Sequence, residues 1–285
     1  MQLSNKKDLL KLLEKQGFTF KKGLGQNFLI DPFVCPEMAR AAAADGEGVL
    51  EIGPGAGVLT KELAATAKKV VAVEIDERLK PVLSETLAGL DNAEVVFADV
   101  MKIDLAALIA EKFSDCNGVS VCANLPYYIT SPIVMMLLES RLPVNSITVM
   151  VQKEAAERLC AEVGTREAGA VSVAVSYYSS PLVLFDVPRE SFMPAPNVDS
   201  AVIKLNILKN PPIEVKDEEF FFKLVKAGFA LRRKTFANSV SAGLDVPKSA
   251  VVSALENAGI DCNIRAERLT MEELAKLSEI LGDGI

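Results

Sequence analysis

The chain contains no histidine. That absence removes the imidazole on which Ser-His and Cys-His nucleophilic chemistry depends, and the usual zinc-ligand spacings cannot be written. The five cysteines, Cys35, Cys116, Cys122, Cys160 and Cys262, are odd in number and contain no C-x-x-C pair. Buried free thiols are the expected state, and no metal site is expected. No run approaches the roughly 18 consecutive apolar residues of a membrane span. The opening stretch MQLSNKKDLLKLLEKQG has leucines at helical spacing, but it carries Asp8 and Glu14 and no cleavable apolar region. That composition argues against a signal or transit peptide, so a cytoplasmic, membrane-free protein is expected. Positive charge is also short: the net charge is −7, which does not advertise a nucleic-acid binder.

Hydrophobic residues are plentiful, at 50% of 285 positions, enough for a well-buried core. That length suits a main domain plus a smaller one. The basic residues are grouped: Lys21 and Lys22, then Arg232, Arg233 and Lys234 in LRRK, then Arg265 and Arg268. Acids crowd elsewhere, as in KDEEF near 217. A basic face on an acidic protein and a plain scatter of solvated charges both fit this pattern.

From about residue 37, helical and β-rich segments take turns: EMARAAAA, GVLEIG, GVLTKELAATA, KVVAVEID, ERLKPVLSETLAG, AEVVFAD, LAALIAEKF, GVSVCANL, SPIVMMLLES, NSITVMVQ. This alternation predicts parallel strands joined by crossover helices, the α/β class. KEAAERLCAE reads as a further helix. AGAVSVAVSYYSSPLVLFDVP and SAVIKLNIL read as apolar, β-branched runs that add antiparallel strands. The consecutive prolines of LKNPPIEV, 208–215, break both regular structures and mark a boundary. The expected domains are 1–208, with 1–36 as an arm and cofactor-capping segment, and an all-helical 209–285. Repeats and low-complexity segments are absent.

VLEIGPGAGVLTKEL follows the first main strand and opens a helix. Gly53, Gly55 and Gly57 permit a tight turn and close approach of a ligand to backbone amides. Val58 stands where a dinucleotide fingerprint needs its last glycine, so a nucleoside without a pyrophosphate is the better fit. Glu74 ends the next strand, about twenty residues on, where a carboxylate can take a ribose diol. Asp76 is its neighbour and competitor. Asp99 closes the strand after that and can accept from an adenine amine. Each acid alone is equally a solvated strand-end residue; together they favour S-adenosylmethionine.

Asn124, Leu125, Pro126 and Tyr127 come at the next strand end. The Asn124 carboxamide oxygen and the Leu125 carbonyl can both accept from an exocyclic amine on a flat base. Pro126 sets φ, and Tyr127 or Tyr128 offers a stacking face. Displacement at a sulfonium methyl needs alignment and acceptors for the charge growing on nitrogen, with no metal or imidazole. An ordinary strand-to-loop turn would account for the Asn and Pro alone.

These motifs, with GLGQNFLID (23–31), ANLPYYITSPI (123–133), VMVQKEAAERL (149–159) and FMPAPNVDSAVIKL (192–205), resemble the ribosomal RNA adenine N6,N6-dimethyltransferases of the small-subunit type. The resemblance covers about 20–208. It implies a Rossmann-like S-adenosylmethionine-dependent methyltransferase domain with a small helical C-terminal domain. Cofactor contacts are implied for Asn27, Leu29, Gly53, Gly55, Glu74, Asp99 and Asn124. Asn124 through Tyr127 hold the amine, and Phe192 supports the base from the other side, with core packing as its plain alternative. Two adjacent adenosines in a hairpin near the 3′ end of small-subunit rRNA are the implied target, so cofactor exchanges over four transfers. Lys21, Lys22, Arg232, Arg233 and Lys234 become phosphate contacts that position RNA without reading it. An immature small ribosomal subunit is the implied partner of a monomer. The alternatives are the large-subunit macrolide-resistance methyltransferases and an assembly factor retaining the fold. A DNA adenine methyltransferase is disfavoured by Leu125, and a dinucleotide oxidoreductase by Val58.

Overall fold

A computed structural model describes residues 5–18 and 28–282. The elements in chain order are α1 (Lys6–Lys15), β1 (Phe28–Leu29), α2 (Val34–Ala42), β2 (Gly48–Ile52), α3 (Val58–Thr66), β3 (Lys69–Glu74) and α4 (Lys80–Thr86). They continue with β4 (Ala93–Phe97), α5 (Leu105–Lys112), β5 (Val119–Asn124), α6 (Tyr127–Glu139), β6 (Ser146–Gln152), α7 (Lys153–Leu159) and α8 (Ala170–Tyr178). The last are β7 (Ser179–Val187), β8 (Phe192–Met193), β9 (Ser200–Ile207), α9 (Glu218–Ala230), α10 (Phe236–Leu244), α11 (Lys248–Ala258) and α12 (Met271–Gly282).

Seven strands form one sheet in the order β4-β3-β2-β5-β6-β9-β7. The first five are parallel in register, for example Val49 opposite Val70 and Ser120. All five residues of β2 are buried, the continuous burial expected of a strand covered on both faces. Chain progression reverses between β2 and β5, so a crevice opens at the carboxyl ends of those two strands, where open α/β sheets bind ligands. β9 then runs antiparallel to β6, Gln152 opposite Ser200, as the β-branched run SAVIKLNIL predicts. Among the described residues no helix is long and apolar enough to cross a membrane.

The run AGAVSVAVSYYSSPLVLFDVP departs from its expected strand character. Its first half is α8, and only from Ser179 does it become β7. The Ser172 hydroxyl accepts from the Gly169 N–H at 2.9 Å and donates to the Arg158 carbonyl at 2.6 Å, tying down the helix start. Val173 and Tyr177, four residues apart, bury one face beside Phe221 and Phe236. Tertiary burial outweighs the β preference of valine here. Residues 157–181 consequently group with 208–285 as one compact unit, while 1–156 and 182–207 form the other. The proline-marked boundary at 208 is one of the places where the chain passes between them.

The helical unit is built on close approach. Asp217 caps α9 by accepting from the Phe220 N–H at 2.9 Å, and Glu218 and Glu219 occupy its positive first turn. The acidic KDEEF stretch is thus a helix start. Both tyrosine hydroxyls of α8 donate to Glu218, Tyr177 at 3.1 Å and Tyr178 at 2.9 Å. In α9, Gly228 faces the ring of Phe236 from α10: a Cβ there would lie 2.5 Å from ring carbon Cε2. Gly228→Ala therefore overpacks this core and should cost about 1–3 kcal/mol. Thermal unfolding of that variant should show a lowered midpoint, whereas Gly169→Ala, with nothing within 4 Å of its new Cβ, should stay near the parent.

Candidate active site

The cavity at the carboxyl ends of the strands is lined by the loop Gly53–Ala56, the acids Glu74, Asp76 and Asp99, the run Asn124–Ile129, and Phe192. The glycine loop earns its composition. Gly53 has φ +72°, and a Cβ on it would meet Leu125 Cδ2 at 3.2 Å. Gly57 has φ +81°, and its Cβ would lie 2.9 Å from Thr86 Cγ2. Both conformations are left-handed ones that a side chain strains.

Glu74 sits 5% exposed at the end of β3 and closes the loop. One carboxylate oxygen accepts from the Gly55 N–H at 3.1 Å and the other from the Asp76 N–H at 2.8 Å. Burial pushes its carboxyl above the usual range, against these two bonds, which favour the ionised form. The carboxylate keeps acceptor capacity for a ligand hydroxyl beside these bonds. Asp76 is also buried, and Arg78 donates to it from Nε at 2.8 Å and from Nη2. The Arg78 guanidinium lies 5.1 Å from the centre of the Phe18 ring. Leu9, Leu12 and Leu13 of α1 pack with Phe18, Phe28, Leu79, Val82 and Leu83. Lys15 and Gln16 both donate to Glu85. The described part of the arm is thus part of the core behind the acids. Leu29 lines the cavity, with β1 paired to β8. Asn27, Lys21 and Lys22 lie outside the described residues.

Asp99, just past β4, lines the cavity while its carboxylate accepts from the Met101 N–H at 3.0 Å and meets Lys102 at 3.3 Å. Asn124 ends β5, half-buried. Among the described residues its carboxamide makes no hydrogen bond, and the Leu125 carbonyl accepts none. The next carbonyl differs: Pro126 accepts from the Ile129 N–H at 3.1 Å and the Thr130 hydroxyl at 3.0 Å. Asn124 and Leu125 thus line the cavity with two adjacent acceptors that have no partner among the described residues, while the third is taken. Tyr127 starts α6 and lines the cavity, its hydroxyl 2.6 Å from Ser200 Oγ; Tyr128 beside it is 63% exposed. Phe192 lines the cavity and is also 4% exposed, packed in the core with Leu29, Val187 and Val202. Lining the cavity and packing in the core are thus combined in one ring.

Two lining residues escaped the motif reading. Glu51, within β2, is 1% exposed, and its Oε2 has no hydrogen-bond partner among the described residues. Burial pushes its carboxyl up to about 8, with Glu74 adding and Thr60 opposing. An acid inside the otherwise apolar GVLEI was the available signal. Ile75, 63% exposed between Glu74 and Asp76, offers an apolar wall; attention to the acids hid it. On the helical unit, Arg232, Arg233 and Lys234 are exposed and form no ion pair among the described residues. The Phe236 N–H donates to the Ile264 carbonyl at 2.8 Å, which brings the turn bearing exposed Arg265 and Arg268 beside the segment that ends at Thr235.

Residues 17–283 match the model of the family described as ribosomal RNA adenine dimethylase. The chain is 50% identical over 274 residues to the ribosomal RNA small subunit methyltransferase A of Geobacillus thermodenitrificans, covering 95% of this chain and 94% of the relative. It is 47% identical, with the same coverage, to the protein of that name from Bacillus pumilus. Among solved structures it resembles a dimethyladenosine transferase from Plasmodium falciparum, with TM-score 0.75 and 28% identity over 90% of this chain and 98% of that one. A 23S rRNA methyltransferase, ErmE, is similar at TM-score 0.67 and 29% identity over 90% and 99%. The chain belongs to the ribosomal RNA adenine dimethylase family, enzymes whose methyl donor is S-adenosylmethionine.

Proposed function

We propose that this enzyme dimethylates the N6 amines of two adjacent adenosines in a hairpin near the 3′ end of small-subunit rRNA, as a monomer acting on an assembling particle in the cytoplasm. The observation that carries the chemistry is the pair of open acceptors, Asn124 and Leu125, at the cavity edge. The relatives that match at about half identity are named for the small subunit, while the 23S enzyme stands at 29%, which favours the small-subunit target.

The donor set fits S-adenosylmethionine. Glu74 takes the ribose diol, Asp99 the adenine amine, and Ile75 one adenine face. Gly53 and Gly55 let the methionine end lie against the backbone, with Leu29 as an apolar side and Asn27 as a further contact. Glu51, buried with an unpartnered oxygen, is suited to the methionine ammonium, because a cation beside it offsets the cost of ionising it there. When bound, the cofactor supplies a methyl group on a sulfonium, open to direct displacement. Asn124 Oδ1 and the Leu125 carbonyl accept the amine hydrogens, two before the first transfer and one before the second, aim the nitrogen lone pair and stabilise the charge that grows on it. The proton of the methylated nitrogen then leaves to water. Tyr127 and Phe192 hold the base between them, and Pro126 keeps the loop in place. Arg232, Arg233 and Lys234, with Lys21 and Lys22, grip phosphates.

Labelled methyl transfer should yield N6,N6-dimethyladenosine from immature small subunits and not from large-subunit RNA or duplex DNA. Asn124→Ala should slow it about 10²–10³-fold; label in large-subunit RNA instead would reassign the target. Near pH 7 Glu51 is largely protonated, and a bound cation draws that proton off, so cofactor affinity should rise with pH up to about 8. Calorimetry in buffers of different ionisation enthalpy should register close to one proton released by the parent and none by Glu51→Gln. Replacing Arg232, Arg233 and Lys234 together with serine should weaken RNA binding. It should also flatten the dependence of log K on log salt by roughly 2–3 units.

A further inference from the structure

We infer that Ser200 is a positioning residue for methyl transfer, its buried hydroxyl fixing where the Tyr127 ring stands against the target base. This rests on the reading of Tyr127 as a base-holding side chain. Ser200 opens β9 and is fully buried. Its backbone is pinned opposite Gln152 at the end of β6, and its side chain is enclosed by its neighbours. That hydroxyl forms one hydrogen bond among the described residues, to Tyr127 at 2.6 Å.

Tyr127 needs such a tie. It is the first residue of α6, so its backbone is set by the helix, but its two side-chain torsions are not. A bond at the phenol oxygen, the atom farthest from the backbone, restrains the first torsion, which swings the whole ring; the oxygen lies on the axis of the second, so the tie fixes where the ring stands. The adjacent Tyr128 starts from the same loop, makes no hydrogen bond through its hydroxyl among the described residues, and is 63% exposed. Burial pushes the Tyr127 phenol above its ordinary value, so it stays neutral and keeps a proton to share with Ser200. The consequence is a link between two parts of the sheet. The amine-holding loop comes from parallel strand β5, whereas the group that orients its ring comes from antiparallel β9.

The test is a double-mutant cycle on single-turnover methylation of immature small subunits, with cofactor affinity and thermal midpoint measured for every variant. Ser200→Ala and Tyr127→Phe should each slow transfer about tenfold, and the double variant should be no slower than either. Cofactor affinity should stay within twofold, since the tie acts on the base and not on the cofactor. A parent-like rate in Ser200→Ala, or independent losses that multiply to about a hundredfold, would overturn the inference. Tyr127→Ala separates the two layers. If it is inactive while Ser200→Ala is unaffected, Tyr127 keeps its role and Ser200 loses its own. Full activity in Tyr127→Ala would overturn both.

Discussion

The active site depends on one buried carboxylate that holds two backbone turns together. Glu74 accepts from Gly55 on the loop after β2 and from Asp76 on the turn after β3. An acid so deeply buried is costly unless its oxygens are satisfied, and these two amides satisfy it. The constraint propagates outward. Asp76 is gripped by Arg78, Arg78 covers Phe18, and Phe18 closes the cluster in which α1 is buried. The loop, the buried acid Glu74 and the packed part of the arm are thus one mechanical unit.

Chemistry without imidazole sets a second constraint. The chain has no histidine, and the side chains proposed to promote transfer work by position and oriented dipoles. The chain supplies them economically: a strand end, a proline and the start of a helix place two open acceptors side by side. Thr130 and the Ile129 amide occupy the Pro126 carbonyl, so the acceptor pattern at the cavity edge is defined and not diffuse. Glu51, buried in the same cavity, adds one acidic site that charges most readily beside a cation.

The strands added after the parallel core carry more of this site than their position in the chain suggests. β8 brings Phe192 to the cavity through its pairing with β1, and β9 brings Ser200 beneath Tyr127. Antiparallel addition makes this possible, since β9 returns along β6 and starts at the carboxyl edge where the parallel strands end. A sixth parallel strand would have begun at the far edge.

Much of the architecture is legible in the sequence. Regular alternation of apolar strands with amphipathic helices dictated the parallel sheet, and glycines at 53, 55 and 57 dictated the turn. Acids and Asn124 at successive strand ends marked one crevice, because strand periodicity and parallel order place such ends together. What the linear pattern could not carry were choices made by burial. Valines in AVSVAVSYY became helix because Val173 and Tyr177 find a packed face in the helical unit, which no local propensity encodes. Glu51 became a cavity residue only because the sheet buries it, and Ser200 met Tyr127 across 73 residues of chain. Local sequence determined the elements and the residue types at their ends; long-range packing decided which of those side chains are desolvated, and desolvation is what turns them into a site.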